Sequence, residues 1–358
     1  MPVGNQIPIE SQLVKALIIG NSKVGKTHYA MCAARDGFKV LYLDGDVSRP
    51  TIQQFSSDAL SRLFYLPFGD MVSDSGVYVP RFSLLLRKFL SAGKFQWDDT
   101  ANRSLIADES AVGHTIVEMN APRFNHEWVI VIDSWTSVSH SIMSAVAMNA
   151  GVDLADMDKA GQSIYGNANN MATDMLSRIR TLNCHVIVIA HPDEYVKYKV
   201  KKGNLRDAQR TENREIEYAR MIPKSISRPH AMTVATYFTD VAWLEVSPMG
   251  RRQLNFDTSP EKEGGGRFAG TLPIDEASFS QLVVKAGGVV PKSVSFDNDS
   301  ALTIIPDWQL PAGLMQKPSV INPKTGSVPA QVQLGGSPMS IPPKVVIPTA
   351  SLKLKLGK

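Results

Sequence analysis

"LIIGNSKVGKTHYAMCAA", residues 17–34, decides how the chain is read. The apolar run Val14–Ile19 leads into a glycine-bounded loop, and a helix-forming segment follows. Gly20, Gly25, Lys26 and Thr27 stand at the fixed places of the pattern G-x-x-x-x-G-K-[ST]. Chemistry sets that spacing. A backbone that curls round a phosphate turns several N–H groups inward, and glycine adopts the φ/ψ values this needs. The helix behind the loop offers its N-terminus to the same anion. The pattern assigns Gly20, Asn21, Ser22, Lys23, Val24, Gly25, Lys26, Thr27 and His28 to a nucleoside triphosphate. Lys26 would reach the β- and γ-phosphates, and the Thr27 hydroxyl would hold Mg²⁺. A chance match is the competing reading, and the position between strand and helix argues against it. P-loops serve unrelated tasks, so the loop alone does not say what the triphosphate does.

Outward from the loop come three more apolar runs. "FKVLYLDGD" (38–46), "WVIVIDS" (128–134) and "HVIVIAH" (185–191) are continuous rather than alternating, the mark of strands buried on both faces. Ligand-binding residues of such sheets gather at the C-terminal strand ends. Asp46 is therefore expected beside the phosphates, and Asp133 opposite Thr27, holding Mg²⁺ through water. Asp44 reads equally as a cap of the next segment. His191 either faces the γ-phosphate or only hydrogen-bonds a loop. Helices are expected from the P-loop to about Arg35, with Gly37 ending it, and over 81–92 and 139–149. Residues 161–184 read as a glycine-containing loop and then a helix whose apolar side is Met171, Met175, Leu176, Ile179 and Leu182. The expected fold class is α/β, three layers around a mostly parallel sheet.

The rest is less regular. Residues 51–127 read as an elaboration between two core strands, with Phe95 and Trp97 better explained by local packing than by a partner surface. "DVAWLEVSPMGRRQLNF" (240–256) reads as a hairpin turning at "SPMG". Residues 196–228 carry ten Lys and Arg against four Asp and Glu, with Tyr195, Tyr198 and Tyr218 near or among them. Such a run tracks and stacks on single-stranded nucleic acid, or is merely a solvated charged loop. Beside a nucleotide-driven core the first reading gains. The expected core is 1–290. The remainder, 291–358, is a Pro-rich tail that holds ten of the 22 prolines and the whole net charge of +4, and is read as disordered or partner-binding. Cys32 and Cys184 are packing residues in a reducing compartment. No eighteen-residue apolar run predicts a membrane span, and the N-terminus lacks a secretory pattern.

These landmarks resemble the RecA-like P-loop ATPases, and more narrowly the phage-type AAA nucleotide-binding proteins related to single-strand annealing proteins and recombinases. The resemblance covers roughly residues 13–270 outside most of 51–127. "VIVIDSWTSV" is similar to the RecA-type strand ending in Asp-Ser, and "GQSIYGNANNMATDMLSRI" to the first DNA-binding loop with its helix. "VIVIAH" falls where the family places a γ-phosphate sensor, here His191 rather than glutamine. "LYLDGD" matches the strand carrying the catalytic glutamate, here the shorter Asp46. The resemblance implies ATP and Mg²⁺ as ligands and catalytic roles for Lys26, Asp46, Asp133 and His191. It implies single-stranded DNA on Tyr165, Lys197, Lys199, Lys201 and Lys202, and a trans-acting finger at Lys262 or Arg267. It further implies a cytoplasmic homo-oligomer (host cytoplasm if phage-encoded) whose tail meets a single-strand-binding or replication protein. Rival readings are an annealing module with negligible turnover and a loader or packaging-type motor.

Overall fold

The structure is a computed structural model that describes residues 12–46, 48–72, 78–91, 93, 95–98, 116–152, 161–198, 216–274, 278–292 and 299–305. In chain order the strands are β1 (Lys15–Ile19), β2 (Lys39–Asp44), β3 (Leu63–Pro67), β4 (Met71–Val72), β5 (Tyr78–Val79), β6 (Phe95–Asp98), β7 (Ile116–Met119) and β8 (Trp128–Asp133). They continue as β9 (His185–Ala190), β10 (Pro192–Tyr198), β11 (Ile216–Pro223), β12 (Asp240–Val246), β13 (Arg252–Asn255), β14 (Thr271–Pro273) and β15 (Leu302–Ile305). The α-helices are α1 (Lys26–Arg35), α2 (Arg49–Ile52), α3 (Ser57–Leu60), α4 (Arg81–Ser91), α5 (Trp135–Asn149), α6 (Gln162–Thr181), α7 (Arg228–Val234) and α8 (Phe279–Lys285).

An eight-stranded sheet in the order β14-β13-β12-β1-β9-β8-β2-β3 forms the middle layer. From β12 to β3 every pairing is parallel, and β13 and β14 add antiparallel strands at one edge. The continuous apolar runs follow from this topology, because each strand must cover two faces. Leu17, Ile19, Leu41, Leu43, Ile130, Ile132, Val186 and Val188 meet α4, α5 and α6 on one side. Ala16, Ile18, Val40, Tyr42, Val129, Val131, Ile187 and Ile189 meet α1 and α8 on the other. Each fully buried Val, Leu or Ile of these faces contributes about 1.5–3 kcal/mol. The three-layer α/β expectation is met. Where α1 ends, Gly37 takes φ 103°, its N–H reaches Ala34 O and the Phe38 N–H reaches Ala33 O, which stops the helix.

Three expectations are corrected. Residues 51–127 are not simply an elaboration, because β3 lies beside β2 as the sheet's edge strand. Phe95 of this region is buried among Phe68, Phe82 and Phe89, as local packing requires. The boundary at 290 also moves. β15 pairs with β7, Ala301 and Leu302 are buried, and Asp299 binds Lys39 at 2.6 Å. The core therefore draws on the chain to at least Ile305, and of the expected tail 293–298 and 306–358 lie outside the described residues. Finally, the glycine-containing loop expected at the start of 161–184 is the first part of α6, which begins at Gln162. Ile164 and Ala168 extend the buried row Ala172, Met175, Leu176 and Ile179 by two turns. A Cβ at Gly166 would meet nothing within 4 Å, so that glycine marks an open helix surface rather than a loop.

Candidate functional site

The site lies where β1, β2, β8 and β9 end. Gly20 follows β1 directly, and a Cβ there would stand 2.7 Å from Leu244 O, so only glycine fits. The chain turns through Lys23 (φ 65°) and Gly25 (φ 103°) into α1. No side chain caps that helix, which leaves its first-turn N–H groups to a ligand. Lys26 is buried, and its ammonium donates to Gly20 O and Asn21 O, 2.8 Å each. Burial lowers its pKa against the raising charges of Asp133 and Asp46. A cleft of about 730 Å³ opens here, lined by the loop, Thr27, His28, Asp46, Ser48, Asp133, His191 and Arg252.

Asp133 is the hub of the acidic end. Its Oδ2 accepts from Thr27 Oγ1 at 3.0 Å, Ser48 Oγ at 2.8 Å and Tyr42 OH at 2.5 Å. Burial raises its pKa, with the Asp46 charge adding and the three hydroxyls opposing. An all-oxygen set of two hydroxyls and a carboxylate suits a hard divalent cation. Asp44 resolves toward capping: it accepts from the N–H groups of Asp46 (2.9 Å) and Ser48 (2.6 Å) and from Tyr65 OH (2.5 Å). It shapes the turn that carries the next two site residues.

Asp46 sits at the far wall. Ser137 Oγ donates to its Oδ1, and His191 Nε2 lies 3.3 Å from its Oδ2. Burial works to raise its carboxyl, but the hydrogen bonds from His191, Ser137 and Ser134 prevail and hold it below the usual range. His191 Nδ1 is 3.5 Å from Lys26 Nζ, so the ring bridges the P-loop lysine and Asp46. The same residue roots β10 and β11, an antiparallel ribbon, through Lys224 N–H to His191 O at 2.7 Å. The basic segment thus begins as a ribbon, not a loop. Tyr195 on it lies under Arg228, 5.9 Å from guanidinium to ring centre. Lys197 is exposed on β10, whereas Lys199, Lys201 and Lys202 lie outside the described residues. Tyr165 is half-buried on α6.

Neither expected finger is a free cation. Arg267 binds Asp240 at 2.5 Å, at the N-terminal edge of the sheet, and reaches Leu13 O at 3.1 Å. Asp240 is fully buried, so this pair serves the core. Lys262 binds Glu245 at 2.5 Å and lies over Trp243. Four residues escaped the sequence reading. Tyr42 shares a strand face with Asp44, a two-residue alternation that strand reading makes available. Ser48 comes in on the local turn that Asp44 caps, whereas Ser137 and Arg252 are near the site only because the topology brings them there.

A family model described as an AAA domain matches residues 13–268. No curated protein matches the chain. No helix among the described residues is long and apolar enough to cross a membrane.

Proposed function

We propose that this chain, which belongs to the AAA domain family, binds ATP with Mg²⁺ in the cleft and uses it to control a grip on single-stranded DNA. The observation that carries the reading is the line of contacts Lys26–His191–Asp46 ending at the root of the ribbon. The phosphates would lie against the N–H groups of residues 22–28 and the Lys26 ammonium, which would trade its loop carbonyls for phosphate oxygens. Thr27 and Asp133 would hold Mg²⁺, with Ser48 and Tyr42 fixing the carboxylate. When bound, the metal neutralises charge on the β- and γ-phosphates. Asp46 would orient the attacking water. His191 would feel the γ-phosphate on one ring edge and shift the ribbon's base on the other. Subunits would assemble along the strand, with the ribbon's lysines on the DNA backbone.

A second reading has its own observation. Both oxygens of Asp46 are engaged and its carboxyl is held below the usual range, which makes it a weak base. Slow turnover, with ATP acting mainly as a bound switch in an annealing protein, fits that geometry. The experiment is a titration of labelled single strands at two salt concentrations, with and without a non-hydrolysable ATP analogue, alongside DNA-stimulated phosphate release. The analogue should tighten binding, salt should weaken it, and His191→Ala should bind nucleotide without the tightening. Salt-independent binding, or a variant that keeps full nucleotide dependence, contradicts the reading. Phosphate release then separates an ATPase from a switch.

A further inference from the structure

One wall of the cleft belongs to neither the P-loop nor the acidic end. Arg252 opens β13 and lies across the P-loop. A Cβ on Gly25 would stand 3.2 Å from its Cδ and 3.3 Å from its Nε and Cζ. The turn at Ser247–Gly250 sets this up, with Gly250 at φ 76° and its N–H on Ser247 O at 2.8 Å. Because Val246 pairs with Arg252, the arginine stands beyond the level of Ile19, which pairs with Trp243. Among the described residues its guanidinium has no hydrogen-bond or ion-pair partner. Arg220, Lys262 and Arg267 nearby in sequence or structure are all paired with carboxylates. An unpaired guanidinium over an anion-binding loop is a group whose partner is the ligand.

Sheet order tells which part of the ligand it meets. Asp133 ends β8, and Asp46 and His191 follow β2 and β9, all on one side of β1. Arg252 is on β13, on the other side of β1. The γ-phosphate belongs with Asp46 and His191, so Arg252 faces the remote side of the loop. We infer that Arg252 is a nucleotide-binding residue that grips the phosphates ATP and ADP have in common. The inference rests on the ATP reading above and adds the residue and the end of the nucleotide it holds. Contact with groups that reaction leaves unchanged is uniform binding, which lowers KM and leaves kcat alone. It also means that Arg252 slows ADP departure as much as ATP departure.

The test is calorimetric titration of Mg·ATP and of Mg·ADP into the full chain, Arg252→Ala and Arg252→Lys, with the ligand-free unfolding midpoint as a fold control. Arg252→Ala should weaken both nucleotides by about tenfold or more, the scale of a lost charged hydrogen bond. The midpoint should not move, because the side chain is exposed. Arg252→Lys keeps the charge and should recover most of the loss. Where turnover is measurable, KM should rise and kcat hold. A loss confined to ATP would place the arginine on the γ-phosphate and overturn the assignment. A lysine variant as weak as alanine would mean stacking on the base, which overturns it as well. If the full chain binds both nucleotides and Arg252→Ala binds equally tightly, only the Arg252 assignment fails. If the full chain binds neither, the ATP reading fails and takes this inference with it.

Discussion

The two edges of the central sheet use the same kinds of residue in opposite ways. At the N-terminal edge four parallel strands begin on titratable groups: Lys15, Lys39, His185 and Asp240. All four are buried, and each has at least one partner within the chain, although the second ring nitrogen of His185 has none among the described residues. Lys15 donates to Leu182 O and Cys184 O at 2.5 Å, Lys39 binds Asp299 and Glu127, Asp240 holds Arg267, and His185 Nδ1 accepts the Val14 N–H at 3.0 Å. At the C-terminal edge Lys26, Asp46, Asp133, His191 and Arg252 line a cleft. A charge closed off by its own chain belongs to stability. A charge turned toward a cavity is available to a ligand.

Substitutions at the first edge should therefore cost stability and spare the cleft. Deleting residues 299–358 removes β15, the buried Leu302 and one partner of Lys39, and should destabilise the fold by about 4 kcal/mol. Deleting only 311–358 should shift the unfolding midpoint little, and denaturant titration of the two truncations decides. Equal stability would remove β15 from the core. Next comes Arg267→Ala, which strands the buried Asp240 carboxylate. Removing one partner of a buried pair costs about 3–5 kcal/mol, and the partial exposure of Arg267 puts the expectation at the lower end. A variant that loses ATP turnover at unchanged stability would make Arg267 a finger rather than a core residue.

A smaller effect depends on pH. Burial, with the charge of Lys15 adding, pushes the His185 pKa down to about 3. The unfolded chain takes up that proton near pH 6.5 and the folded one does not. His185 therefore leaves stability intact above pH 6.5 and subtracts about 1.4 kcal/mol per unit as pH falls from there toward 3. His185→Asn, whose amide oxygen can accept the Val14 N–H, should flatten the slope between pH 6.5 and 5. An unchanged slope would trace the acid sensitivity to another group. The smallest stability effect belongs to the other edge. Lys26→Ala relieves a buried ammonium held by two loop carbonyls and a long contact to His191, and should change ligand-free stability by less than about 1 kcal/mol.

Legibility in the sequence followed locality. The P-loop and the strands ending at Asp44, Asp133 and Ala190 announce themselves within a dozen residues, because parallel strands buried on both faces must be apolar throughout. β3 did not: its run Leu63–Pro67 is short, sits among turn-forming residues and ends in proline, and only its pairing with β2 places it in the sheet. β15 is four residues long inside a proline-rich stretch, and only its pairing with β7 reveals it. The start of α6 was hidden by Gly161 and Gly166, whose loop signal is overridden by the buried row from Ile164 to Ile179. Arg252 reaches the cleft through topology, so the hairpin at 240–256 was readable while the use of its arginine was not.

The separation of the two edges is tested most directly by one measurement, the unfolding midpoint with and without saturating Mg·ATP in three proteins. The full chain should gain about 2.7 kcal/mol at a ligand concentration one hundred times Kd. Arg267→Ala should start lower and gain the same amount. Lys26→Ala should start level with the full chain and gain almost nothing. If Lys26→Ala keeps the whole gain, or Arg267→Ala loses the gain while keeping its ligand-free stability, the edges do not divide stability from ligand binding as described.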